Sequence, residues 1–233
     1  MPNQEKWKQV RSSIINSEDY PSELWYLVEE FAEDFLVKGR PDFDVPHTHG
    51  VVYWAYTLAT AFNKQIEIGE IRDEEPIDIV VLVTAAWLHD IGYYGQFDEV
   101  ADYSAVYDKK AMHMVVGAKM ARDFLESLVV QFLTVSQIEQ VVHLITVHDD
   151  LDKIVTLLET MLVESDTLGM MDIEWVEPTY QGVEALDFPD RPRAQKRFQI
   201  FKTKLGTSSL REVIERFKEF IIDRDFDGED PRV

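Results

Sequence analysis

The chain has 233 residues, 45% of them hydrophobic and none of them cysteine, so it can bury one sizeable core but can form neither disulfides nor thiolate metal sites. Its 23 basic residues face 44 acidic ones, a net charge of −21, which argues against tight binding to a nucleic-acid polymer. The longest apolar run is about half the ~20 residues a bilayer requires, and MPNQEKWKQV lacks the apolar centre of a signal peptide, so a cytoplasmic protein with no membrane partner is expected.

The recurring pattern is helical, with no repeat or low-complexity tract, and the expected fold class is all-α. Two amphipathic segments, residues 5–16 and 22–38, come first and are expected to cover the core. Residues 40–45 read as non-helical. Pro46 then reads as the first residue of a helix running to about Phe62, a position where its missing N–H costs nothing. A polar, acidic connection over 69–76 follows. Residues 79–88 are apolar on nearly every face, the mark of a buried central helix, and Gly92 supplies a C-terminal stop.

Residues 93–107 mix aromatics and acids without a clear period and read as a loop or lid. A helix over about 108–128 is next. Ser136-Gln137-Ile138-Glu139 matches a capping box and opens a helix that ends at His148 or Asp149, and a further helix spans 152–170. Residues 172–193, with three prolines, read as irregular, and helices over 194–204 and 209–223 complete the body. The expected organisation is a single helical domain over 1–222, with covering helices in 1–40, and an acidic tail over 223–233.

Helical phase sorts the polar residues within these segments. His47 shares a stripe with Val51, Trp54, Ala55, Leu58 and Phe62, whereas His49 lies about 200° away. His113 shares one with Val116, Gly117, Met120, Ala121 and Phe124, and Gly117 there permits close approach. His148 continues Ile138, Val141, Val142 and Ile145, whereas His143 sides with Glu139 and Thr146. Asp166 continues Ile154, Leu158 and Leu162. His89 and Asp90 end the buried central helix, and an unpaired imidazole and carboxylate are costly to desolvate there. Four histidines and two aspartates thus point inward with no inward Lys or Arg beside them. That set fits a metal site in the core of a helical bundle, and the donors are all nitrogen and oxygen.

Three stretches, Pro46-His47-Thr48-His49-Gly50-Val51-Val52, Trp87-Leu88-His89-Asp90-Ile91-Gly92 and Glu164-Ser165-Asp166-Thr167-Leu168-Gly169, resemble the HD-domain superfamily of metal-dependent phosphohydrolases. His-Asp-Ile-Gly is a frequent form of that family's doublet, and the resemblance covers roughly residues 44–170. It implies an HD-domain-like helical bundle in which His47, His89, Asp90 and Asp166 hold one metal. His113 and His148 look like the two additional histidines of dinuclear members, with Asp90 as a bridge. Many members carry a substrate-binding lysine directly after the tetrapeptide; here that position is Tyr93.

The resemblance implies hydrolysis of a phosphoester or phosphoanhydride in a nucleotide or other small phosphorylated metabolite, by water activated on one or two divalent ions. Mn²⁺, Fe²⁺, Co²⁺, Ni²⁺, Zn²⁺ and Mg²⁺ are all admissible. Relatives with six such ligands also include di-iron oxygenases, and a non-catalytic module stabilised by metal is a third reading. Asp98 and Glu99 are candidates for the acid that protonates the leaving oxygen, or are solvated loop acids. Lys109, Lys110, Lys119 and Arg122, together with a cluster that includes Arg193 and Arg197, are candidates for phosphate contacts, or pair with surface carboxylates.

Overall fold

A computed structural model of the chain describes residues 4–39, 41–72, 74–94, 106–128 and 131–171. Among them are seven α-helices and no strand, the all-α class expected: α1 (Gln4–Ile15), α2 (Ser22–Leu36), α3 (Pro41–Glu67), α4 (Ile79–Leu88), α5 (Val106–Glu126), α6 (Val135–Val147) and α7 (Leu157–Met171). Short 3-10 turns, Ile91–Tyr93 and Leu151–Lys153, follow α4 and α6. No described helix is long and apolar enough to cross a membrane.

The apolar sequence of α4 places it at the centre. Nine of its ten residues are buried, and it packs against α2, α3, α6 and α7. Asp78 starts it by accepting a hydrogen bond from the Val81 N–H at 3.1 Å, a cap that contributes about 1 kcal/mol. Helices α1 and α2 lay aromatic rings on the same helix. Trp87 meets Trp25 edge-on with centroids 5.4 Å apart and Trp7 at 5.6 Å, geometries that suit the ring quadrupoles. Helix α3 runs along α7, and α5 packs on α6 and on the turn after α4.

Several boundaries differ from expectation. Helix α3 begins at Pro41, which takes the first-position role expected of Pro46. Pro46 lies inside the helix, close enough to its start that only the bond to the Asp42 carbonyl is forgone. The capping box of α6 is Thr134 with Gln137, two residues before the expected one: Thr134 Oγ1 accepts from Gln137 N at 3.2 Å, and the Gln137 side chain accepts from Thr134 N at 3.0 Å. Helix α7 begins at Leu157, not Asp152. Glu159 Oε2 accepts from the N–H groups of Val155 and Thr156, and Glu159 N donates back to Thr156 Oγ1, a second reciprocal cap.

Gly92 is not a left-handed stop, since it lies within the 3-10 turn and Gly69 is the one described glycine with positive φ. Tyr93 is buried in that turn, Tyr94 follows it exposed, and Val106 and Tyr107 already belong to α5; the rest of the expected lid, 95–105, lies outside the described residues. So do the expected irregular segment 172–193, the helices over 194–204 and 209–223, and the tail.

Candidate metal centre

Five helices deliver six side chains to one place. His47 comes from the second turn of α3, His89 and Asp90 from the end of α4, His113 from α5, His148 from the end of α6 and Asp166 from α7. All four imidazoles are at most 2% exposed, and Asp90 is 6% exposed.

The six divide into two triads, His47 with His89 and Asp166, and Asp90 with His113 and His148; within each, the potential ligand atoms all lie within 4.8 Å of one another. In the first, His47 Nε2 is 3.3 Å from His89 Nε2 and 3.1 Å from Asp166 Oδ1, and His89 Nε2 is 3.9 Å from the same oxygen. In the second, His113 Nε2 and His148 Nε2 are 3.2 Å apart, and lie 3.4 and 3.7 Å from Asp90 Oδ1. Two donors each about 2.1 Å from one ion are at most about 4.2 Å apart, so both triads have the dimensions of a coordination shell. Asp90 joins them. While its Oδ1 faces His113 and His148, its Oδ2 lies 3.7 Å from His47 Nε2 and 3.4 Å from His89 Nε2.

The protonation pattern supports the fit. His89 Nδ1 lies 2.8 Å from the Ala86 carbonyl oxygen, and His148 Nδ1 lies 2.8 Å from that of Ile145. A carbonyl only accepts, so each Nδ1 carries the proton, and each neutral ring turns a lone pair at Nε2 toward the cluster. Four imidazole nitrogens, two of them with the tautomer so fixed, and two carboxylates meeting in a buried space suit a divalent cation with N/O preference. In the metal-free protein, protons take that role. Burial opposes the imidazolium of His89, but the charge and hydrogen bond of Asp90 and the charge of Asp166 outweigh it and raise its pKa to about 9. Burial likewise opposes the carboxylate of Asp90, yet the His89 charge and hydrogen bonds from His113, His148 and His89 hold it well below the ordinary aspartate value.

Glycines set the spacing. A Cβ on Gly92 would collide with the His113 carbonyl oxygen and come within 2.6 Å of Gly117 N, so the turn carrying Asp90 meets α5 backbone to backbone. Gly117 allows the close approach expected of it, since its own Cβ would lie 3.2 Å from Gly92 N. On the other side, a Cβ on Gly169 would come within 2.7 Å of Val51 N, which sets the crossing of α3 and α7 beside His47 and Asp166.

The remaining candidates lie elsewhere. His49 stacks on Trp7 with centroids 3.9 Å apart and contacts Glu33 at 3.1 Å; the exposed His143 contacts Glu159 at 2.6 Å. Arg122 forks onto both carboxylate oxygens of Glu139, a partner that phosphate would have to displace, and Lys119 is exposed on α5. Lys109 and Lys110 are the fourth and fifth residues of α5, while their side chains, together with Asp98, Glu99, Arg193 and Arg197, lie outside the described residues.

Two neighbours of the cluster escaped the sequence reading. Tyr93 stacks flat on His113, centroids 4.1 Å apart and planes 10° from parallel, and Asp149 Oδ2 lies 3.9 Å from His113 Nε2. A signal for the second was present in His148-Asp149, which repeats the His-Asp doublet.

Fold and site together define an all-α protein whose core holds a His/Asp centre suited to divalent metal. The HD domain family model matches residues 45–171, more than half of the chain, and the chain belongs to that family. No curated protein and no solved structure matches it.

Proposed function

We propose that this chain is a metal-dependent phosphohydrolase that cleaves a phosphoester or phosphoanhydride in a nucleotide or other small phosphorylated metabolite, in a cytoplasmic setting. The observation that carries the reading is Asp90, whose two oxygens face two histidine pairs. His47, His89 and Asp166 would hold one divalent ion, His113 and His148 a second, and Asp90 would touch both. Bound there, such ions polarise a phosphate oxygen and acidify a water for attack at phosphorus.

The chain's own contribution is positioning. The Ala86 and Ile145 carbonyls fix the tautomers of His89 and His148, and Tyr93 holds the His113 ring from one face. The carboxylate side chains of Asp90 and Asp166 are 8% and 14% exposed against 0–3% for the imidazoles, so the acids mark the side from which substrate arrives. Lys109 and Lys110 are the nearest basic candidates in sequence to His113, with Lys119, Arg193 and Arg197 as further phosphate contacts and Asp98 or Glu99 as the proton donor.

Purified protein loaded with Mn²⁺, Co²⁺ or Ni²⁺ is expected to release phosphate or pyrophosphate from nucleotides or general phosphoesters. Metal bound with no release across such a panel would reject the reading. A carboxylate placed between two histidine pairs also suits a pair of redox-active irons. That second reading expects oxygen consumption after anaerobic Fe²⁺ loading with an organic substrate, and none with phosphoesters.

A further inference from the structure

Helices α4 and α6 end in the same way. Each stops one residue before a histidine, Leu88 before His89 and Val147 before His148, and both histidines keep right-handed backbone angles, φ −60°, ψ −38° and φ −56°, ψ −28°. In each, Nδ1–H donates 2.8 Å to the carbonyl three residues back. An aspartate follows each histidine, and a 3-10 turn comes next, directly after Asp90 at Ile91 in one case and one residue later, after Asp150, at Leu151 in the other. The chain therefore carries two His-Asp doublets, each placed at a helix end with its histidine held in the same way.

The aspartate of the first doublet sits between the histidine pairs. That of the second lies at the edge of the His113/His148 pair, with Oδ2 3.9 Å from His113 Nε2. Across the cluster, Asp166 Oδ1 stands 3.9 Å from His89 Nε2 and, closer in, 3.1 Å from His47 Nε2. The two carboxylates are matched in exposure as well, 11% for the Asp149 side chain and 14% for that of Asp166. Both doublets also stand at helix C-termini, where the backbone dipole favours a cation.

We propose that Asp149 is the terminal carboxylate ligand of the His113/His148 half, the counterpart of Asp166 in the other. Each half then offers two imidazoles, one carboxylate of its own and one oxygen of Asp90, a donor set for Mn²⁺, Fe²⁺, Co²⁺ or Zn²⁺. Three carboxylates against two divalent ions leave one net positive charge, which draws an anionic substrate to a protein of net charge −21. The inference rests on the metal reading of the site and is independent of whether the reaction is phosphate hydrolysis.

The test is calorimetric titration of metal-free protein with Mn²⁺, with bound metal counted by elemental analysis. Wild type is expected to take up two ions. Asp149→Asn, nearly isosteric, keeps one at wild-type affinity and binds the other at least about tenfold more weakly, while Asp166→Asn weakens the opposite ion by a similar factor and the double variant weakens both. Two ions bound by Asp149→Asn with wild-type affinities would overturn the assignment; uptake of fewer than two by wild type would overturn it together with the two-metal reading. Two ions and no phosphate release would reject only the hydrolase. Because the chain has no cysteine, Asp149→Cys adds a single thiolate. On loading with Co²⁺ it should show a near-ultraviolet thiolate-to-cobalt band that wild type lacks, and a loaded variant without that band counts against ligation.

Discussion

Gly169→Ala offers a quantitative test of how the first half of the centre is held. The added Cβ would sit 2.6 Å from Val51 Cγ2, 2.7 Å from Val51 N and 3.1 Å from Gly50 C. The side-chain methyl can turn away, but the backbone nitrogen cannot. Ordinary contact begins near 3.4 Å, so opening 2.7 Å to 3.4 Å separates α7 from α3 by about 0.7 Å. Asp166 is three residues away on α7 and shifts with it, which widens its 3.1 Å spacing to His47 Nε2 by a similar amount, against a tolerance of about 0.2 Å for ligand distances. Metal binding must then draw the helices back against an overpacking cost of about 1–3 kcal/mol, so affinity at His47, His89 and Asp166 falls about 5–150-fold. Calorimetric titration with Mn²⁺ measures this directly. The melting temperature of the metal-loaded variant should fall by about 2–4 °C per kcal/mol lost. Unchanged affinity at this half would refute the claim that the Gly169–Val51 contact sets it.

Gly69→Ala is the contrasting case, since φ is +78° with nothing within 4 Å of the new Cβ. It should cost about 1–2 kcal/mol of stability, read by denaturant unfolding, and leave metal affinity unchanged. Asp90→Asn should weaken both metal-binding events, whereas loss of a single event would show that Asp90 serves one half only. In the metal-free protein the raised His89 pKa contributes stability that is complete below the unfolded value of about 6.5 and is lost as pH rises toward about 9. Chelator-treated protein should therefore melt at progressively lower temperature across that interval. Metal, competing with the same protons, should bind more tightly as pH rises. Burial opposes the Glu159 carboxylate, but hydrogen bonds from Thr156, Val155 and His143 lower its pKa. Its contribution is thus present above the ordinary glutamate value of about 4.3 and lost as pH falls below it, and Glu159→Ala should cost about 0.5–2 kcal/mol at neutral pH and much less in acid.

The sequence alone determined which side chains face the core, because helical phase is a local property. A residue 3 or 4 positions from a buried apolar neighbour shares its face wherever the helix is finally placed. His47, His113 and His148 were legible for that reason, as was the outward placement of His143, while the His89-Asp90 pair was legible because it ends a helix apolar on nearly every face. Helix ends were less legible. Pro41 and Pro46, or Thr134 and Ser136, satisfy the same capping rule, and only packing chose between them. The tertiary structure also decided which oxygen of Asp90 faces which histidine pair, and it brought Asp149 beside His113, 36 positions earlier in the chain. Neither could be read from phase, which fixes a direction around one helix axis; distances between side chains on different helices depend on how closely their backbones approach, at Gly92 against Gly117 and at Gly169 against Val51.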